Sequence, residues 1–270
     1  MKIKDNFFLL ICGIFPLLFY YPCFAQLTLD QREIKLSYKP QETIRGRLTL
    51  FNSSTETFTV KTYCQDFVFL SPHNGLKGFR PLGSTPYSFG KWINITPSLF
   101  IIPPNSQQLV EYSISIPQQA KGSYNAILFF ETISGTPVKG NSVGVIFRAG
   151  CSIYLEPVDK ILAVKIEDIS VVKGSIRGEF LNAGNAILLS EATYFVMGTN
   201  NFLFQRGEIQ KFCLMPQDKA SFVIGISDKI VPGKYTLIVN FSLEGRKALV
   251  KEVDFLKDSS GLIQILGIKD

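Results

Sequence analysis

The chain has 270 residues, 46% of them hydrophobic and 13% aromatic, with a formal net charge of +6 and a pI near 9.0. That length suits one large or two ordinary domains, and the positive charge is spread without a Lys or Arg run, which argues against a nucleic-acid or membrane patch. A single histidine, His73, excludes a multi-His metal site and offers no Ser or Cys partner for a His-based triad, so no catalytic residue, metal site or cofactor is expected.

The N-terminus, MKIKDNFFLLICGIFPLLFYYPCFA, places Lys2 and Lys4 ahead of an apolar run from Phe7 to Tyr21 and ends on the small residues Cys23 and Ala25. This order predicts a secretory signal peptide over residues 1–25, cleaved after Ala25, and hence an exported, periplasmic protein. No later apolar run reaches transmembrane length. Beyond the signal lie Cys64, Cys151 and Cys213, an odd set with no metal-ligand spacing. They read as buried free thiols, although a Cys64–Cys151 bridge is conceivable if their strands face one another.

Mature sequence opens with LTLDQREIKLSY, in which Leu27 and Leu29, and later Ile34 and Leu36, sit two apart inside their segments as an edge strand requires. IRGRLTLFNSS follows and ends in turn chemistry at Asn52-Ser53-Ser54. In FTVKTYCQDFVFL the apolar residues, Phe58, Val60 and Tyr63 and then Phe67 and Phe69, do not keep one phase, which suggests a bulge. Residues 73–90, HNGLKGFRPLGSTPYSFG, are rich in Gly and Pro and read as a long loop, of a length that is commonly functional or mobile. Within it His73 reads as a solvated residue, and Phe79, Tyr87 and Phe89 as a possible contact surface. Trp92, the one tryptophan, sits in an alternating segment and reads as a core aromatic.

A repeat then organises the rest. PPNSQQLVEYSISIPQQAKGSYNAILFFE, from Pro104, is echoed by PQDKASFVIGISDKIVPGKYTLIVNF, from Pro216. Each has a proline-led turn, an alternating strand, a turn with Lys and Gly, a tyrosine and a second apolar strand. Ile44-Arg45-Gly46 before Asn52 is likewise echoed by Ile176-Arg177-Gly178 before Asn182. Asn52 to Pro104 spans 52 positions and Asn182 to Pro216 spans 34, so the first copy carries 18 more residues, about the length of the Gly/Pro loop. Short strands, frequent turns and no helical period predict an all-β chain of two tandem immunoglobulin-like β-sandwich domains, residues 26–157 and 158–257, with a tail at 258–270. Tyr124 and Tyr235, each following a glycine turn, look like tyrosine corners. A long strand is expected from Asn141 to Leu155, with Val143, Val145 and Phe147 sharing one face.

LTLDQREI, IRGRLTLFNSS, PPNSQQLVEYSISIP and KGSYNAILFFE together resemble the N-terminal domain of PapD-like periplasmic pilus-assembly chaperones, over Leu27 to Pro157. The resemblance implies a non-catalytic chaperone of secreted or fimbrial protein subunits, acting by β-strand complementation, in which one long strand lends alternate apolar residues. On this chain those would be Val143, Val145 and Phe147. It also implies a basic pair that clamps the subunit's terminal carboxylate, at positions that fall here on Glu33 and Gly150. Arg32 and Arg148 are the nearest basic residues, each offset in register, and an odd offset turns a side chain to the other face. The reading set against this one is a structural or adhesive envelope module that binds peptidoglycan or surface proteins, with the Gly/Pro loop as its contact surface.

Overall fold

A computed structural model describes residues 26–133, 145–243 and 248–269, so the signal-peptide segment lies outside the described residues. In chain order the first sandwich comprises β1 (Leu27–Leu29), β2 (Glu33–Tyr38), β3 (Thr43–Asn52), β4 (Phe58–Phe69), β5 (Lys77–Arg80), β6 (Ile93–Thr96), β7 (Leu99–Ile102), β8 (Ser106–Ser115), β9 (Tyr124–Ile133) and β10 (Arg148–Pro157). The second comprises β11 (Val164–Val172), β12 (Ser175–Asn182), β13 (Leu188–Gly198), β14 (Leu203–Leu214), β15 (Lys219–Gly225), β16 (Gly233–Leu243), β17 (Leu249–Lys257) and β18 (Ile263–Lys269).

Two tandem immunoglobulin-like sandwiches result. The first packs sheet β1-β3-β8-β6 on sheet β2-β10-β9-β4, with β5 and β7 both pairing along the far side of β4. The second packs β11-β12-β15 on β14-β13-β16-β17-β18. Alternation does the work in both: Leu48, Leu50, Val110 and Ile114 point from one sheet toward Val60, Leu128, Phe130 and Ile153 of the other, and all are buried. Each such side chain stabilises the fold by roughly 1.5–3 kcal/mol relative to exposure. A separate core gathers Phe180, Phe212, Phe222, Phe241 and Phe255 in the second sandwich.

The duplicated asparagines explain the repeat. Asn52, ending β3, is buried; its amide donates to the carbonyls of Glu56, Ile102 and Pro103, and its oxygen accepts from the Ser54 N–H. Asn182, ending β12, does the same for the Ala186 and Leu214 carbonyls and the Gly184 N–H. Each side chain thus ties its own turn to the chain arriving at the repeated proline. The two tyrosines also lock turns: Tyr235 donates to the Val231 carbonyl, and the Tyr124 hydroxyl accepts from the Lys121 N–H. Trp92 is half-buried and stacks edge-on against Tyr124 at 4.5 Å.

Four expectations need correction. LTLDQREIKLSY is two strands, because the exposed, polar Asp30-Gln31-Arg32 lets the chain switch sheets: β1 pairs with β3, and β2 pairs in parallel with β10. No bulge interrupts β4, whose register on β9 is continuous over Thr59–Gln65. Its phase changes because Phe58 and Val60 serve the sandwich core, whereas Tyr63, Phe67 and Phe69 are packed on the sheet's opposite face. The strand toward Leu155 starts at Arg148, with residues 145–147 leading into it and 134–144 outside the described residues. Residues 258–270 are no simple tail, since β18 pairs with β17 along six positions and sends Ile263 into the core.

Replacing Asn52 or Asn182 by Ala is expected to lower unfolding free energy by roughly 3 kcal/mol each, because buried carbonyls and an N–H lose their partner together. Urea denaturation of the single variants checks this, and a change below about 1 kcal/mol at both sites would contradict the tie.

Candidate functional site

The one sheet edge that the sequence singles out is β10. β9 pairs with it over Arg148–Leu155, whereas β2 pairs only with Ser152–Pro157. Backbone direction alternates along a strand. The Ser152 N–H donates to the Arg32 carbonyl on the β2 side, and the Phe147 carbonyl accepts from the Thr132 N–H on the β9 side. Arg148 and Gly150 therefore turn their peptide groups to the side where no described strand pairs with them. An uncovered edge of this kind is a template for an added strand.

The side chains expected to accompany that edge divide. Val143 lies outside the described residues. Val145 is 62% exposed and Ile146 58% exposed, immediately ahead of the open edge. Phe147 is committed inward: it packs against the first core with its ring 5.5 Å from that of Phe58, and its N–H donates to the Thr132 hydroxyl.

Arg32 and Arg148 do not form a pair. Arg32 is exposed beside Ser152, four residues further along β10 than Arg148, about 13 Å at strand rise. Arg148 shares the outer face with Gly150, two residues on, and its guanidinium lies 4.7 Å from the centre of the Phe129 ring and 3.8 Å from Glu131. Glu131 also accepts from Lys61 and the Tyr63 hydroxyl, both at 2.7 Å, and these partners hold its carboxyl below the usual range. Arg148 is thus a rung in a ladder of cross-strand contacts.

The Gly/Pro loop brings a lysine to the outer face of this sheet. Its first half is a hairpin, in which β5 pairs with the end of β4 and folds over the outer face of the sheet. There Lys77 donates to the Ser152 hydroxyl at 2.7 Å, and its ammonium lies 4.8 Å from the Phe67 ring centre and 5.3 Å from that of Tyr154. Burial pushes the Lys77 amine below its ordinary value, and the ring faces offset part of that desolvation. Glu33, at the other expected clamp position, pairs weakly with Lys35 at 3.8 Å. Lys77, Glu33, Lys35, Tyr154, Lys211 and Cys213 help to line a cleft of about 340 Å³ between the two sandwiches. A lysine inside a Gly/Pro-rich loop gives no periodic signal, so nothing in the sequence marked Lys77.

The rest of the loop is structural. Asp66, fully buried at the end of β4, accepts from the Ser84 and Thr85 N–H groups and the Ser88 hydroxyl. His73, expected to be merely solvated, is half-buried and its carbonyl accepts from the Cys213 N–H of the second sandwich. Of the three loop aromatics, Phe89 is buried and Tyr87 donates to the Pro216 carbonyl, which leaves Phe79 at 41% exposure. Among the described residues no three His, Cys, Asp or Glu side chains converge as a metal site.

Cys64, Cys151 and Cys213 are free thiols. Cys64 and Cys151 both lie opposite Leu128 with β9 running between them, so two strand spacings, about 9.6 Å, separate their backbones, too far for a bridge. Burial pushes both thiols up to about 12. They stay protonated in the fold and ionise near the ordinary 9.0 when unfolded, so their stabilising effect is complete below pH 9.0 and is lost as pH rises toward 12. A disulfide-exchange reagent at mildly alkaline pH should titrate neither thiol in the folded chain and both after guanidinium unfolding; rapid native labelling of Cys64 or Cys151 would contradict this burial.

No protein-family model and no curated protein matches this chain. Among solved structures it is similar to a chain from a chaperone–tip adhesin complex of CFA/I fimbriae, with a TM-score of 0.55 and 15% identity over 84% of this chain and 97% of that one. It is also similar to the class 5 fimbriae chaperone CfaA, with a TM-score of 0.53 and 14% identity over 83% and 97%. The two-sandwich fold is therefore one that this chain shares with these fimbrial chaperone structures.

Proposed function

We propose that this chain is a non-catalytic periplasmic chaperone for exported fibre subunits, which it binds by strand addition along the Arg148–Cys151 edge. The observation that carries the reading is that edge: four residues of β10 paired on one side only among the described residues, entered by exposed Val145 and Ile146. Strand addition supplies main-chain hydrogen bonds for affinity, and alternate side chains supply selectivity. The shared fold with a chain of a chaperone–adhesin complex supports the same reading. Export rests on the basic, apolar and small-residue order of residues 1–25.

In this reading the subunit's terminal carboxylate enters the inter-sandwich cleft and meets Lys77. Ser152 already aims the ammonium, and the Phe67 and Tyr154 rings exclude water from its flank. An ammonium in such surroundings gains more from a carboxylate than one in bulk water would. Arg148, engaged by Glu131 and Phe129, contributes to the rim of the edge and leaves the carboxylate to Lys77.

The test is co-purification from periplasm with the tagged chain. Val145→Lys places a charge where an apolar side chain would enter the subunit and should reduce recovered partner about tenfold, equivalent to about 1.4 kcal/mol. Lys77→Gln should weaken recovery while leaving the fold's melting point near that of the parent. Undiminished recovery with both variants would sink the proposal, and loss only on removing 77–89 would favour the loop-contact module.

A further inference from the structure

We infer that residues 71–90 act as a second fastener between the sandwiches, which converts a one-sided hinge into a fixed joint and so sets the width of the cleft. A covalent linker alone leaves two domains free to swing, and that is the default for modest inter-domain contacts. Here the linker side is held by three bonds: Val158 N–H to the Tyr38 carbonyl, Ile161 N–H to the Asn185 side chain, and Ile187 N–H to the Ser123 hydroxyl. All three lie close to where the chain crosses, so they define an axis and do not by themselves oppose rotation about it.

The strap supplies the opposing side. The Pro72 carbonyl accepts from the Gln210 side chain, the His73 carbonyl accepts from the Cys213 N–H at 2.7 Å, and the Tyr87 hydroxyl donates to the Pro216 carbonyl at 2.5 Å. Between the two fastenings lies an apolar filling of Phe67, Phe69, Ile127 and Tyr154 against Ile187 and Met215. The strap is in turn rooted in the first sandwich through buried Asp66, so a pull on Tyr87 is borne by that sandwich's own core. Lys77 sits on this same segment, which makes the position of its ammonium in the cleft and the angle of the joint one variable.

The test needs no partner and is therefore separate from the function proposed above. In ¹⁵N relaxation of the full chain, residues of both sandwiches should report one shared rotational correlation time. In Tyr87→Phe/Gln210→Ala, which deletes two strap bonds and keeps the rings and backbone, the two sandwiches should report different times, each falling toward roughly half the shared value. Separate times in the unaltered chain would overturn the inference without any variant. A single unchanged time in the double variant, with Pro72→Gly and His73→Gly added to loosen the remaining contacts, would overturn it as well. If the variants unfold, the unaltered chain's relaxation still decides the matter.

Discussion

The sheet β2-β10-β9-β4 is covered on both faces, and most of the molecule follows from that double burial. One face closes the first core through Val60, Leu128, Phe130 and Ile153. The other carries Phe67, Ile127, Phe129 and Tyr154, side chains that an isolated sandwich would leave in water. A single immunoglobulin-like domain buries one face of each sheet. This chain therefore needs its second sandwich, and the β5 hairpin, to satisfy the first. With both faces used, the sheet offers backbone groups only along edges, among them the stretch of β10 that β2 leaves unpaired.

The same double burial governs what could be read from the residues. Where one face is buried, alternation reports it directly, and the cores, the duplicated skeleton and the paired asparagines were legible for that reason. Asn52 and Asn182 stood out through spacing, and each makes the same side-chain ties. Where both faces are buried alternation fails: Val60 and Phe67 serve different surfaces within one straight strand, so the pattern imitated a bulge. Sheet switching at Asp30–Arg32 was hidden because three polar residues look alike whether they end a strand or bend one. The C-terminal strand was read as a tail because β18 is an edge strand with exposed Leu266 and Ile268, and only Ile263 is buried.

The candidate site was legible in outline and not in its parts. Val145 was expected within the strand and lies just ahead of it, Phe147 belongs to the core and Arg148 to a charge ladder. A residue's parity predicts its face, but only its neighbours decide whether that face is open. Lys77 could not be found by parity at all, since its position depends on a hairpin folding across two strands.

Gly150 shows why no long side chain can reach the cleft from that position of β10, whereas Lys77 reaches it from a loop. A Cβ at Gly150 would stand 2.9 Å from the Phe129 ring and 3.0 Å from Ile127, because Phe129 lies across the glycine. Phe129 is itself held by the rings of Phe79 at 5.1 Å and Tyr63 at 5.6 Å, and by the Arg148 guanidinium. A long basic side chain at 150 would have to displace that cluster, at the cost of overpacking, typically about 1–3 kcal/mol. The hairpin that brings Phe79 onto Phe129 closes the strand position to a lysine, and two residues earlier it delivers Lys77 to Ser152. The crowding at Gly150 and the placing of Lys77 beside Ser152 are thus two consequences of one hairpin.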